Sequence, residues 1–178
     1  MSLSVISFSS RKDGNCAKIG KLIKSELTEV NLFDFSEFNL NACGSCSYQC
    51  FNGGKNCPFI TDRECELLDA IITSTVTYFV IPNYCDFPCS NFFIFNERSL
   101  CYFNNNEKLL NKYLVTPKKF IVVSNNETDN FKTAFSYHCI GEPEILFLSA
   151  KKYGKVSIDG NITTSKQAID DLLKFITK

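Results

Sequence analysis

The chain has 178 residues, and its 19 basic and 19 acidic side chains give a net charge of zero at pH 7. A nucleic-acid-binding domain normally carries a basic face, so this balanced, scattered charge argues against a nucleic-acid partner. Apolar runs such as 76–82 are far shorter than the ~20 residues that cross a bilayer, and the first residues lack the basic start of a signal peptide. We therefore expect one domain over residues 1–178, in the cytoplasm and without membrane contact.

Short apolar runs alternate with amphipathic stretches along the chain. Five runs predict strands, at 3–8, 30–35, 75–81, 119–123 and 145–148. Apolar residues at helical spacing predict helices at 15–27, from 61 or 62 onward, at 91–103, around 131–138 and at 169–176. The third strand is expected to stop at Pro82, and the asparagines at 104–106 are expected to form a turn.

Strands that alternate with helices predict an α/β fold with a parallel sheet, because each parallel connection needs a crossover. These strands are continuously apolar, which is typical of a sheet whose two faces are both covered by helices. Ligands of such sheets bind beyond the carboxyl ends of the strands. The loops that follow the first four strands are therefore the candidates for a functional site.

The loop after the first strand has the composition of a phosphate-binding turn. It contains Ser9, Arg11, Lys12, Gly14 and Asn15, directly before a predicted helix. Free amides at a helix start attract an anion, and hydroxyl and guanidinium groups add further donors. The loop lacks the GxxxxGK[ST] pattern of nucleoside triphosphatases and the GxGxxG pattern of dinucleotide folds. Taken alone, it is equally well interpreted as a polar turn in which Asn15 caps the helix.

This loop resembles the phosphate loop of the NAD(P)H-dependent FMN reductase family, G-S-P-R-K-x-G-N-[ST]. The matching residues are Ser9, Arg11, Lys12, Gly14 and Asn15, and the departures are Phe8, Ser10 and Cys16. The resemblance implies four groups around an FMN phosphate: Ser9, Arg11, Asn15 and the Cys16 backbone amide. It also implies a flavodoxin-like three-layer sandwich, with a five-stranded parallel sheet in the order 2-1-3-4-5, and a homodimer or higher homo-oligomer.

A second match to this family follows the third strand. Its residues are Pro82, Asn83, Tyr84, Cys85 and Asp86, which resemble the family's S-P-x-Y turn, and the later Asn96-Glu97-Arg98, which resembles the end of its helix pattern. The resemblance implies that the turn lines the isoalloxazine ring of the flavin, with Tyr84 near the ring. A flavin requires hydrogen-bond partners at its pyrimidine edge and flat apolar contact for its rings. The alternative is that Pro82 ends a core strand and Tyr84 packs.

The third flavin-facing loop of the fold follows the fourth strand, at Ser124, Asn125 and Asn126. Relatives often carry a glycine there, and this chain has none in that loop before Gly141. Asparagine adopts left-handed backbone conformations more readily than most residues. We therefore expect Asn125 or Asn126 to take the place of that glycine.

Four of the ten cysteines, Cys43, Cys46, Cys50 and Cys57, lie within fifteen residues, in a loop at 41–59. They resemble the cysteine segment in the iron–sulfur flavoprotein branch of the same family, which spaces its middle cysteines more tightly. Four thiolates could hold an iron–sulfur cluster or a tetrahedral zinc ion. Free or redox-labile thiols are the third interpretation, and the one we favour. Cys85 and Cys89 are further redox candidates beside the expected flavin.

The resemblance implies an oxidoreductase in which FMN takes electrons from NAD(P)H and passes them to a small-molecule acceptor such as a quinone or a flavin. The flavin carries this chemistry, so no catalytic side chain is expected. The alternatives are an electron-transfer flavoprotein, with or without an iron–sulfur cluster, and a flavodoxin-like domain that has lost FMN. His138 is expected to be structural, and Lys118 and Lys119 are expected to be solvated turn residues.

Overall fold

A computed structural model describes residues 2–44, 46–51, 57–104 and 106–178. Part of the cysteine loop, at 52–56, and the middle residue of the asparagine turn lie outside the described residues. The strands are β1 (Leu3–Ser7), β2 (Val30–Asp34), β3 (Thr77–Tyr84), β4 (Phe87–Pro88), β5 (Lys118–Ser124) and β6 (Glu144–Ser149). The helices are α1 (Asn15–Glu26), α2 (Glu64–Thr73), α3 (Ser90–Phe103), α4 (Glu107–Val115), α5 (Asn130–Ser136) and α6 (Lys166–Ile176).

The five longer strands are parallel and lie in the order β2-β1-β3-β5-β6. This is the predicted order 2-1-3-4-5, and the predicted fold is confirmed. The short strand β4 is an addition that pairs antiparallel with the end of β3. Within the described residues, no helix is long and apolar enough to span a bilayer.

Each face of the sheet is buried under helices, which explains why the strands are continuously apolar. In β1, Val5 belongs to the apolar cluster beneath α1 and α6, whereas the next residue, Ile6, belongs to the cluster beneath α2, α3, α4 and α5. The second cluster is rich in phenylalanine, and Phe8, Phe79 and Phe95 are fully buried in it with ring centroids 5.5–5.9 Å apart.

The prediction that β3 stops at Pro82 was wrong, because the strand continues to Tyr84. The Val80 carbonyl accepts a hydrogen bond from the Phe8 amide, on the side of β3 that faces β1. Backbone polar groups alternate in direction along a strand, so the nitrogen of Pro82 also points toward that side. Since β1 has already ended at Ser7, no ladder hydrogen bond is lost at the proline.

The lysines at the start of β5 were wrongly predicted to be solvated turn residues. Lys118 is only 5% exposed, and its Nζ donates to the backbone carbonyls of Tyr113 and Thr116. Burial lowers the pKa of Lys118 to about 8. Lys119 also lies in the strand, where its Nζ donates to the Phe175 carbonyl over 3.0 Å.

His138 lies in the turn after α5 and is buried against the phenylalanine cluster. Its ring packs edge-on against Phe92 at 5.1 Å, and its Nδ1 shares a 2.6 Å hydrogen bond with the Tyr113 hydroxyl. Burial, aided by the charge of Lys118, lowers the pKa of His138 to about 3. The imidazole is therefore neutral and packed in the interior.

Candidate functional site

A cavity of about 520 Å³ opens at the carboxyl ends of β1, β3 and β5. Its volume falls within the range of about 300–1,000 Å³ that is typical of small-molecule sites. The predicted residues in its lining are Ser9, Arg11, Gly14, Asn15, Cys16, Pro82, Asn83, Tyr84 and Asn125. The predicted residues outside the lining are Lys12, Cys85, Asp86 and Ser124, and the lining residues that were not predicted are Val123, Ser157 and Ile158.

The loop before α1 is a tight turn closed by its own backbone. The Gly14 amide donates to the Arg11 carbonyl over 3.0 Å, and the Arg11 amide donates to the Ser9 hydroxyl over 3.2 Å. A Cβ at Gly14 would lie 3.0 Å from the Arg11 Cβ and 3.1 Å from the Arg11 carbonyl oxygen. A larger residue at this position would therefore need the Arg11 turn to shift by a few tenths of an ångström.

The start of α1 is not capped by a side chain. Gly14 is the N-cap residue, and Asn15 is the first helical residue rather than the cap that the alternative interpretation required. The first amides of a helix have no partner within the helix, and the helix dipole adds partial positive charge there. This end of the cavity therefore suits an anionic group.

Two side chains of this loop also have partners at the far end of the chain. The Asn15 Nδ2 donates to the Ser157 carbonyl over 2.7 Å, and its Oδ1 accepts from the Ile162 amide over 2.9 Å. The Arg11 Nη1 donates to the Ile158 carbonyl over 2.8 Å. A guanidinium has five N–H donors, so Arg11 keeps others for a ligand.

The departures from the family pattern at Phe8 and Cys16 leave the cavity open. The Phe8 ring is fully buried and stacks on Phe35 with centroids 5.1 Å apart, so it faces the core. Its carbonyl accepts from the Asn91 side chain over 2.8 Å. Cys16 is 2% exposed, and burial raises the pKa of its thiol well above the usual value, so the thiol stays neutral.

The end of β3 and the strand β4 form a hairpin beside the cavity. Tyr84 pairs with Phe87, and the two loop residues Cys85 (φ 52°) and Asp86 (φ 66°) both have left-handed backbones, as a type I′ turn requires. These two residues form the tip, which places them outside the cavity lining. Asn83 lines the cavity, and its Nδ2 donates to the Ser124 hydroxyl over 2.8 Å. Its Oδ1 is buried and has no hydrogen-bond partner among the residues that the structure describes.

The expectation that Asn125 or Asn126 would replace a glycine was wrong, because neither has a positive φ. Asn125 instead joins the cavity to the chain beyond β6. Its Oδ1 accepts from the Ser157 amide over 2.9 Å, and its carbonyl accepts from the Ser149 hydroxyl over 2.8 Å.

The cysteine loop packs against α3. The Cys43 amide donates to the Glu97 carboxylate over 2.7 Å. Cys101, which the sequence analysis did not include, lies beside Cys50 and Cys57. Burial and the hydrogen bond with Cys50, followed by the influence of Cys57, raise the pKa of the Cys101 thiol.

In the part of the chain that the structure describes, no group of three or more His, Cys, Asp or Glu side chains is arranged to hold a metal ion. A metal at the four predicted ligands therefore stays an open alternative, and we derive no step through one.

Cys89 is part of the interior. It is 5% exposed, its Sγ donates to the Phe8 carbonyl over 3.3 Å, and burial raises its pKa. A protonated, buried thiol reacts slowly. Cys85, at the exposed hairpin tip, remains a redox candidate.

Arg98, at the end of the second family pattern, holds the cysteine loop to the body of the fold. Its Nη1 donates to the Asn41 carbonyl over 2.6 Å and to the Asp62 Oδ2 over 2.7 Å, and its Nη2 donates to the Asp62 Oδ1 over 3.1 Å. The side chains of Arg98 and Asp62 are 2% and 9% exposed. Arg98 therefore has a structural role, because it joins α3 to residues 41 and 62 on either side of the cysteine loop.

No protein-family model matches the chain, and no curated protein matches it in sequence. A solved structure of a "flavone reductase" is similar in fold, with a TM-score of 0.55 and 15% sequence identity. The similarity covers 94% of this chain and 60% of that chain, so the chain spans less than two thirds of the length of the reductase. At this identity the likeness establishes the fold, a flavodoxin-like α/β sandwich.

Proposed function

We propose that the protein is an FMN-dependent oxidoreductase that takes electrons from NAD(P)H and passes them to a quinone, a flavin or a similar acceptor. The observation that carries the proposal is the cavity at the strand ends. One part of its lining is the uncapped start of α1 with Ser9 and Arg11, and another part contains Tyr84 and Asn83. The fold shared with a flavone reductase supports the same chemistry.

The loop before α1 is the proposed phosphate site. The amides of the first helical turn donate to the anion, and Arg11 adds a charge-assisted hydrogen bond, which is about twice as strong as a neutral one. Gly14 permits the close approach of the backbone, since any side chain there would meet Arg11. Ser9 is 5% exposed, and its hydroxyl accepts from the Arg11 amide, which holds the turn in shape.

The turn at the end of β3 is the proposed ring site. Within the described ranges no donor reaches the buried Asn83 Oδ1, and the N–H at the pyrimidine edge of a flavin is the kind of donor it lacks. Tyr84 is 55% exposed at the cavity and offers an aromatic face to the ring or to a second substrate. When bound, FMN supplies the electron transfer between donor and acceptor. The chain then has only to bind, orient and partly shield it.

Titration of the apoprotein with FMN tests this assignment. We expect Arg11→Ala to raise the dissociation constant more than tenfold, since a hydrogen bond to a charged group contributes about 1.5–3 kcal/mol. The matched control is Lys12→Ala. It removes a charge of the same sign from the next residue, whose side chain lies outside the lining. Screened charge alone should change the affinity by less than about threefold.

Equal losses in the two variants would mean that only net charge matters and would remove Arg11 from the site. Binding of FMN without reduction by NADH or NADPH would instead support the alternative of an electron-transfer flavoprotein. No binding by the wild-type protein would support the alternative of a flavodoxin-like domain that has lost FMN.

A further inference from the structure

The connection between β6 and α6 is joined by polar contacts to the loop before α1 and to α1 itself. Three carbonyls of this segment, residues 155–162, accept hydrogen bonds from side chains of that loop and of α1. They are the carbonyls of Ser157, Ile158 and Gly160, which accept from Asn15, Arg11 and Lys18 over 2.7, 2.8 and 2.6 Å. In the opposite direction, the amides of Ser157 and Ile162 donate to the carboxamides of Asn125 and Asn15 over 2.9 Å each.

The segment is seated by a glycine whose replacement would strain the backbone and force a neighbouring atom to shift. Gly160 has a left-handed backbone (φ +67°), and a Cβ there would lie 2.9 Å from the Asp13 carbonyl oxygen. This contact presses the segment directly onto the loop before α1. Gly154, six residues earlier in the chain, has nearly the same backbone conformation (φ +66°), but a Cβ there would meet nothing within 4 Å.

We propose that the 155–162 segment forms one side of the cofactor cavity and positions the phosphate-binding loop. The segment thereby governs the affinity of the protein for the phosphate of FMN. The inference rests on the proposed function. Ser157 and Ile158 line the cavity, and the Ile158 carbonyl holds the Arg11 side chain in place. A long, exposed arginine loses rotamer freedom when it binds a ligand, and one that is already held loses less. Asn15, fixed at both of its polar atoms, keeps the first turn of α1 from fraying.

The pair Gly160→Ala and Gly154→Ala separates the seating of the segment from backbone strain, because both variants place a methyl group at the same left-handed conformation. We expect Gly160→Ala to weaken FMN binding about tenfold relative to Gly154→Ala, which corresponds to about 1.4 kcal/mol. Riboflavin, which has the same ring but no phosphate, should bind both variants with equal affinity.

A second measurement uses the unaltered protein and is independent of how well the glycine variants fold. Coupling between two sites is reciprocal, so a segment that favours FMN binding must itself be stabilised by FMN. Amide hydrogen exchange at Ser157 and Ile162 should therefore slow when FMN binds and should stay unchanged with riboflavin.

The outcomes distinguish this inference from the proposed function. If the wild-type protein binds no FMN, the proposed function fails first. If it binds FMN, but the two glycine variants bind equally well and exchange at 157 and 162 does not respond, the segment is a structural connection only and the inference is overturned. An equal loss of FMN and riboflavin in Gly160→Ala would also overturn it, since the effect would then not involve the phosphate.

Discussion

The buried ion pair between Asp62 and Arg98 gives the sharpest prediction about stability. The guanidinium contacts both carboxylate oxygens, at 2.7 and 3.1 Å, and the two side chains are 9% and 2% exposed. Asp62→Ala would leave the buried guanidinium without the carboxylate it binds, with hydrogen bonds to the backbone carbonyls of Asn41 and Phe59. Loss of one partner of a buried pair costs about 3–5 kcal/mol, whereas an exposed pair contributes about 1 kcal/mol or less. The matched control is Glu66→Ala, which breaks the neighbouring pair with Arg63, where the side chains are 40% and 55% exposed.

Urea unfolding followed by far-UV circular dichroism measures both losses, and the chain contains no tryptophan that would report by fluorescence. We expect Asp62→Ala to lose several times more than Glu66→Ala, and the addition of Arg98→Met to restore part of that loss, because it removes the unpaired charge. Desolvation raises the pKa of Asp62, but hydrogen bonds from Arg98 and Asn41 outweigh it and lower the pKa overall. The contribution of the pair should therefore be complete at neutral pH and disappear in acid. Equal losses in the two single variants would refute the reasoning.

Three further predictions concern groups outside the cavity lining. Burial raises the pKa of Glu64 from 4.5 to about 9, so folding takes up a proton between these pH values and the free energy of unfolding falls as pH rises, by about 1.4 kcal/mol per pH unit. Glu64→Gln should abolish this slope in urea titrations, and an unchanged slope would assign it to another group. Burial lowers the pKa of His138, the single histidine, from 6.5 to about 3, so its NMR ring signals should not move between about pH 8 and pH 5. The free energy of unfolding should fall as pH drops below 6.5, and a change of the ring signals near pH 6.5 would contradict the burial. Cys85→Asn should raise the free energy of unfolding by about 0.5–1 kcal/mol, because asparagine tolerates the left-handed backbone of the hairpin turn, and a loss would show that the thiol itself is needed there.

The strand order was predictable because buried parallel strands leave a local signature. Runs such as 120–123 are apolar on both faces, and the stretches between such runs have the apolar spacing of helices. That pattern admits few other folds. Helix α4 was missed although its signal was present. Leu109, Leu110, Tyr113 and Leu114 have the spacing of a helix face, and the Asn106 side chain caps the helix by accepting from the Leu109 amide over 3.1 Å.

The candidate site was predictable only where its residues are neighbours in sequence. The turn from Ser9 to Asn15 is a local motif, so its place at the cavity followed from its pattern. The partners of Asn15 lie 142 and 147 residues away, and no local pattern predicts them. The general rule that ligands bind at the carboxyl ends of parallel strands would have pointed to the chain after β6, where Ser157 and Ile158 lie. The electron acceptor and the homodimer stay predictions.

Anaerobic mixing of the FMN-loaded protein with NADPH or NADH, followed by visible absorption, tests the central claim most directly. If the cavity at the strand ends holds FMN in an oxidoreductase, the absorption of the oxidised flavin should bleach with one of the two nucleotides and return when a quinone is added. The Arg11→Ala protein should bleach to the same extent only at FMN concentrations that restore its occupancy. Protein that retains no FMN, or bound FMN that neither nucleotide reduces, would contradict the account.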